Sequence, residues 1–379
     1  MKAHLITSSR AEFGFLRHLA RTLADSTDTT VTFIVSGLHI DDRAGRTISE
    51  IEITGVRYVQ TQTVVPSRES PTYVASYLAS AVSQFAEIFT REVPDVVILL
   101  GDRIETMAAA LAAHSLQLPI AHLHGGERTL GLLDEGYRNA ISKLASIHFP
   151  STDAHRQAVI ALGEAPSRVF NVGALAVEAV KSNSFISQVE LEEMLNMELE
   201  QLLVVTFHPV TLAADRGLAE LQALIKALEF LSDFQVLITG PNLDSAIEVF
   251  SPALLRFADQ NPHRVRFVAS LGSRQYLSIL KRSVCCLGNS SSGLIEAPIL
   301  GVPSIDIGQR QSGRYKPASV KSVPANPSAI VDAVRDVSAK SSLHNTRTIG
   351  TDVFGTGDTS LQISEILQQF HDKGELSKW

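Results

Sequence analysis

The run Val96-Val97-Ile98-Leu99-Leu100 is apolar at every position and stops abruptly at Gly101-Asp102-Arg103. A strand with one wet face would alternate in polarity, and a buried helix would need more length. A short unbroken run fits a strand covered on both faces, as in a parallel sheet. Pro119 to Leu123 has the same character and leads into His124-Gly125-Gly126-Glu127. Similar runs recur along the chain: Ala3 to Thr7, Val31 to Val35, Ile147 to Pro150, Val169 to Val172, Leu202 to Phe207, Phe234 to Thr239, Val265 to Ala269, Val284 to Leu287 and Pro303 to Ile307. Stretches of helical period separate them. Phe13, Leu16, Leu19 and Leu23 mark one, Val74, Tyr77, Leu78, Val82 and Phe85 another, and Ile104 to Gln117, Tyr137 to Ala145, Asp153 to Leu162 and Arg274 to Arg282 predict more. Strand and helix in alternation predict an α/β fold built on doubly wound sheets, whose ligands sit beyond the carboxyl ends of the strands.

At 379 residues the chain exceeds one ordinary core, so two such halves are expected. Their expected bounds are residues 1–173 and 174–358, with a final amphipathic helix, 359–379, crossing back onto the first half. A formal net charge of −7 argues against a nucleic-acid partner, which calls for a clustered basic face. Met1-Lys2-Ala3-His4 precedes too few apolar residues for a secretory leader or a membrane span, which predicts a cytoplasmic protein with no membrane partner. Cys285 and Cys286 adjoin in one apolar run, where successive side chains point to opposite faces; they read as core and not as a redox pair or metal site.

Acidic residues follow two of the strands. Asp102, Glu127 and the nearby Asp134 and Glu135 would converge on one crevice, where carboxylates held close together cannot all ionise freely. The competing reading is an ion-pair network of Asp102 with Arg103, Glu135 with Arg138 and Glu127 with Arg128. His122, His124 and Glu127 invite a metal reading, set aside for want of further ligands at metal spacing; the double glycine then suggests close approach by a ligand. In the second half, Asn289-Ser290-Ser291-Ser292-Gly293 lies between a strand and a helix, suiting a phosphate or diphosphate, or serving only as a cap. Glu296, one turn further on, is placed to take the hydroxyls of a ribose or to complement the helix dipole. Arg10, in the loop Ser8-Ser9-Arg10, and Arg314, in a glycine-flanked loop, are each a phosphate contact or a solvated cation. His208 ends a strand before Pro209 and reads as an acid, base or donor to substrate, or as a satisfied histidine; His39, after Ser36-Gly37-Leu38, and Asn242, after Gly240-Pro241, also stand at strand ends.

Taken together and in this order, Gly101-Asp102-Arg103, His122 to Glu127, Asp134-Glu135 through Arg138, Thr206-Phe207-His208-Pro209, Asn289 to Pro298 and Gly308 to Arg314 resemble the UDP-N-acetylglucosamine 2-epimerases. The likeness spans nearly the whole chain and is nearest to the hydrolysing branch that feeds sialic and related nonulosonic acid synthesis. It implies a GT-B architecture of two Rossmann-like domains facing a cleft, a UDP-sugar substrate, usually a homodimer, and no metal or other cofactor. It implies C2 deprotonation, elimination of UDP to a 2-acetamidoglucal, and hydration to free N-acetylmannosamine. Asp102, Glu127 and Asp134 match the family's catalytic carboxylates and His208 its histidine beside the leaving diphosphate. Arg10, Ser290, Ser291, Ser292 and Gly293 match positions near the diphosphate, and Glu296 the ribose contact; His39, Glu135, Asn242 and Arg314 complete the expected substrate contacts.

Two departures bear on the sugar. Ala11-Glu12-Phe13-Gly14 stands where the hydrolysing branch more often has Asp and Tyr, and Asn139 follows Arg138 where His is usual. UDP-N-acetylglucosamine is the expected substrate, with UDP-2,4-diacetamido-2,4,6-trideoxyglucose as the alternative, whose C4 acetamido and C6 methyl groups require a roomier, less polar pocket. A GT-B glycosyltransferase and a UDP-sugar sensor are the remaining rivals.

Overall fold

The computed structural model describes residues 1–378 except 27, 41–46, 63–71, 129–133, 211–214, 216, 241–246 and 342–353. The chain forms two compact units. The first comprises Met1–Glu127, Asp134–Lys181 and Asp352–Trp379, and the second Arg128–Leu133 and Ser182–Thr351.

In the first unit the strands are β1 (Lys2–Thr7), β2 (Thr30–Val35), β3 (Arg57–Gln60), β4 (Val96–Leu100), β5 (Ile120–Leu123) and β6 (Ile147–Phe149). They form one parallel sheet in the order β3-β2-β1-β4-β5-β6. The helices are α1 (Arg10–Ala24), α2 (Ser49–Glu52), α3 (Tyr73–Arg91), α4 (Ile104–Ser115), α5 (Asp134–Leu144), α6 (Asp153–Ala161) and α7 (Leu175–Lys181). Along β4, Val96, Ile98 and Leu100 join the core on one face while Val97 and Leu99 join the core on the other. Burial on both faces is why this strand reads as an unbroken apolar run.

The second unit repeats the plan with α8 (Gln188–Leu195), β7 (Leu202–Thr206), α9 (Leu218–Phe230), β8 (Gln235–Thr239), α10 (Ile247–Gln260), β9 (Val265–Val268), α11 (Gly272–Leu280), β10 (Cys285–Gly288), α12 (Glu296–Ile299), β11 (Ser304–Ile307), β12 (Val320–Val323) and α13 (Pro327–Ser341). Its sheet runs β12-β11-β10-β7-β8-β9, again parallel. Cys285 and Cys286 are both buried and unbridged. The last helix, α14 (Thr359–Asp372), packs on α1, with Ile363 and Leu367 in the same apolar cluster as Leu16 and Leu19.

Three expectations need correction. Residues 169–172 do not form a strand: Val169 makes a single bridge to His148, and Asn171 turns its side chain back to the Gly173 N–H at 3.3 Å. The first unit runs on past residue 173 to Lys181, because the apolar face of α7 packs on α1 and α14. Helix α5 begins at Asp134, not Tyr137, so Asp134 and Glu135 occupy its first turn, where carboxylates complement the helix dipole. No described helix is long and apolar enough to cross a membrane.

In each unit the strand order reverses beside its first strand, between β1 and β4 in one and between β7 and β10 in the other. Connections leave such a switch point in opposite directions and open a crevice at the carboxyl ends. Gly288 ends β10 at φ 141°, and a Cβ there would lie 2.0 Å from the Thr206 carbonyl oxygen. Gly288→Ala is therefore expected to cost roughly 3 kcal/mol or more, read by denaturant unfolding, with a wild-type midpoint as the contradicting result.

Candidate active site

The first unit gathers its acidic groups around one buried guanidinium. Arg138, on α5, has 3% of its side chain exposed. One arm donates to the Asp102 carboxylate at the end of β4, and the other to the Glu127 carbonyl at 2.8 Å, with Glu135 at 4.0 Å. Burial by itself would lower the pKa of Arg138, but Asp102, Glu127, Glu135 and Asp134 outweigh it and raise it. Asp102 pairs with Arg138, and the Glu127 carboxylate bonds His124 Nδ1 at 2.8 Å. Three elements separated in sequence meet here because β4 and β5 are neighbours and α5 packs against β5 and α4.

His122 lies in the sheet beneath this cluster, fully buried, with Nε2 2.8 Å from the Gly101 carbonyl oxygen and Nδ1 3.0 Å from Ser142 Oγ. A carbonyl only accepts, so Nε2 carries the hydrogen and Nδ1 accepts from the serine. Burial, followed by the opposing pull of the Gly101 bond, takes its pKa down to about 3, which keeps the ring neutral. The glycines after it serve the protein's own packing. A Cβ on Gly125 would lie 2.9 Å from Ser142 Oγ, and one on Gly126, at φ 81°, would lie 2.2 Å from the His155 carbonyl oxygen. Close approach by a ligand is not needed to explain either glycine. Among the described residues no cluster of three metal-ligating groups is present.

A second group at the same sheet end was not legible beforehand. Glu12, in the first turn of α1, accepts from the Ser8 N–H and hydroxyl, both at 2.8 Å, and faces Arg103 Nε at 3.6 Å. Arg103 also faces Glu105 at 3.4 Å, and Glu105 takes the Tyr77 hydroxyl at 2.8 Å. The signal available in the sequence was Glu12 and Glu105 each standing just beyond a buried strand. His39 is fully buried, its ring nitrogens engaged by Thr7 at 3.0 Å and Thr47 at 2.6 Å, which makes it a satisfied core histidine. Arg10 pairs with Glu50 at 2.8 Å on a half-exposed surface.

In the second unit His208 and Asn289 stand on either side of the switch point and lock together. Asn289 accepts from the His208 N–H at 2.7 Å and donates to the His208 carbonyl at 2.8 Å. Its own carbonyl accepts from Arg310 at 3.0 Å and Gln311 at 2.7 Å. Burial, then the Arg310 charge, lowers the His208 pKa to about 3, so this imidazole is neutral at physiological pH. Ser291–Gly293 forms one turn of 3-10 helix, and Glu296 opens the separate short helix α12. Within the loop Ser290 Oγ caps the Ser292 N–H at 3.3 Å, the Ser292 hydroxyl meets the Tyr276 hydroxyl at 2.6 Å, and a Cβ on Gly293 would lie 2.5 Å from Ser304 Oγ. Ser290, Ser291 and Glu296 keep partial exposure. Arg314 donates to the Arg128 carbonyl at 3.1 Å, and Asn242 lies outside the described residues.

The pKa of Glu12 is raised to about 7, chiefly by burial against the opposing charge of Arg103. The folded protein therefore keeps a proton that the unfolded chain has already released above its ordinary value of 4.5. This contribution is fully present below the unfolded value and is lost as pH rises through the folded one. Glu12→Gln should accordingly gain stability relative to wild type, by roughly 1–3 kcal/mol, between about pH 5 and pH 8. Unfolding midpoints across that range measure it, and a pH-independent difference would contradict it.

A family model described as UDP-N-acetylglucosamine 2-epimerase matches residues 21–368. The polysialic acid biosynthesis protein P7 of Escherichia coli is 34% identical over 330 residues, covering 87% of this chain and 84% of that one. The GDP/UDP-N,N'-diacetylbacillosamine 2-epimerase (hydrolyzing) of Campylobacter jejuni is 32% identical over 320 residues, covering 84% and 83%. The UDP-N,N'-diacetylbacillosamine 2-epimerase (hydrolyzing) of Legionella pneumophila is 30% identical over 364 residues, covering 96% and 94%. Among solved structures, the UDP-GlcNAc 2-epimerase from Neisseria meningitidis bound to UDP-GlcNAc matches with a TM-score of 0.80 over 97% of this chain and all of that one, at 18% identity, a likeness of fold. The two doubly wound sheets are thus of the GT-B type. With a model match across most of its length and these relatives at 30% identity or above, the chain belongs to the UDP-N-acetylglucosamine 2-epimerase family.

Proposed function

We propose that the protein is a hydrolysing UDP-sugar 2-epimerase that converts UDP-N-acetylglucosamine into UDP and free N-acetylmannosamine. The observation that carries this reading is the gathering of Asp102 and Glu127 around buried Arg138 in a chain of this family. Epimerisation with loss of UDP is a sequence of proton transfers. A base removes the C2 proton, its electron pair becomes the C1–C2 double bond, and the C1–O bond breaks with its pair leaving on UDP. Water then adds at C1 while a proton reaches C2 from the other face, which reverses the configuration.

Asp102, Glu127 and Asp134 serve the proton transfers, since general acids and bases must reach both the sugar carbon and the water. On the second unit, Ser290, Ser291, Ser292 and the backbone at Gly293 take the diphosphate, with Glu296 on the ribose. A neutral His208 donates one hydrogen bond to the departing phosphate without adding a charge that would hold the product. Arg10 is freed for phosphate only by giving up Glu50, a half-exposed pair that costs little to break.

A second substrate, UDP-2,4-diacetamido-2,4,6-trideoxyglucose, is favoured by the relatives from Campylobacter jejuni and Legionella pneumophila, whose names carry N,N'-diacetylbacillosamine. Incubating the purified protein with each UDP-sugar in D2O decides between them. The expected result is free 2-epimerised sugar carrying deuterium at C2, with UDP released. Sugar passed to an acceptor with C2 hydrogen intact would identify a glycosyltransferase, and UDP binding without product a sensor. Asp102→Asn, Glu127→Gln and Asp134→Asn should each lower kcat by about 10²–10⁴-fold while UDP affinity changes little. Full turnover in all three would remove the assignment.

A further inference from the structure

His124 follows β5 directly and sits at φ 62°, a left-handed conformation that side-chain-bearing residues seldom adopt. Backbone held in a sparsely populated region persists when the surrounding structure enforces it, and such residues concentrate at sites of function. What the conformation achieves here is visible in the ring. Nδ1 lies 2.8 Å from Glu127 Oε1, and Glu127 is held from behind by the Ser151 hydroxyl at 3.4 Å, itself 3.0 Å from His155 Nδ1. An ionised carboxylate only accepts hydrogen bonds, so Nδ1 carries the hydrogen and Nε2 presents its lone pair.

That second nitrogen is closed to water and has no hydrogen-bond partner among the described residues. Buried polar atoms are nearly always satisfied, and an orphan asks for a reason. His122, two residues earlier, is the contrast, with both ring nitrogens engaged and a purely structural role. His124 keeps 14% of its side chain exposed and so lies at the rim of the first unit rather than in its core. Two of the neighbouring acidic groups are already committed, Asp102 to Arg138 and Glu127 to His124 and Ser151.

We infer that His124, held and polarised by Glu127, is the base that takes the C2 proton of the UDP-sugar. The inference rests on the function proposed above and assigns Glu127 its part: it acts through the imidazole. The C2–H bond breaks, its proton forms a bond to Nε2, its electron pair becomes the C1–C2 double bond, and the pair of the C1–O bond departs with UDP. The imidazolium so formed faces the Glu127 carboxylate, which stabilises it, and afterwards returns its proton to solvent.

The substitution that isolates Nε2 is His124→Asn. Asparagine tolerates the left-handed backbone, and its amide N–H replaces Nδ1–H toward Glu127, while nothing replaces Nε2. Three quantities are measured on the full chain: turnover of the UDP-sugar, UDP affinity by calorimetry, and hydration of 2-acetamidoglucal supplied together with UDP. The expected result is a kcat lower by about 10²–10⁴-fold, KM and UDP affinity within about threefold of wild type, and glucal hydration nearly unchanged. Wild-type turnover in the variant overturns the inference and leaves the proposed function standing. So does a loss of UDP affinity, or of glucal hydration in proportion to turnover, either of which marks the ring as structural. A wild-type protein that releases UDP from neither sugar overturns the proposed function, and this inference with it.

Discussion

Arg138 is a full positive charge with almost no contact with water, and such a charge persists only where opposite charge and hydrogen-bond acceptors surround it. The acceptors are a carboxylate at the end of β4 and a carbonyl in the loop after β5. The guanidinium therefore ties both loops to α5. Asp134 and Glu135 then follow at the start of the same helix, four acidic residues within reach of one cation. Such a pair is weak evidence for added stability, because desolvation offsets most of the attraction, but it is strong geometry: a planar fork accepts few alternative arrangements.

The two units solve the same problem with different chemistry. Each has its strand reversal beside its first strand; the second unit places His208 and Asn289 in the two loops flanking that reversal, whereas the first gathers its acidic residues around Arg138 in the loops after β4 and β5. In the first unit the loops carry charge, balanced by Arg138 and Arg103. In the second they carry neutral donors: a histidine kept uncharged by burial, an asparagine clamped across the gap, and serine hydroxyls. Charged groups suit proton transfer, and neutral donors suit an anion that must bind and then leave.

The buried strands were readable because a parallel sheet covered on both faces leaves an apolar run without alternation, as in β4 and β7. The edge strands β3 and β12 gave no such signal, since each is partly exposed and mixes charged and polar residues with valine. Residues 169–172 misled for the opposite reason, being apolar enough to look like a strand while pairing only once, beside β6. The acidic motif residues could be listed from the sequence, but not their partners. Asp102 is adjacent to Arg103 and bonds Arg138, because a side chain at the end of a strand faces across the sheet end and not along the chain. Gly125 and Gly126 each lie against neighbouring backbone or side chains that only the fold brings together. The strained backbone of His124 and the buried carboxyl of Glu12 depend on tertiary surroundings and leave no periodic trace.

The dependence of the first unit's site on one guanidinium is tested most directly by Arg138→Met, which keeps an unbranched apolar stem and removes the charged head. Denaturant unfolding should show a loss of about 3–5 kcal/mol, the cost of leaving a buried carboxylate without its partner, and Asp102→Asn in the same chain should restore much of it. A variant within about 0.5 kcal/mol of wild type, with no recovery in the double substitution, would mean that Arg138 does not organise these loops.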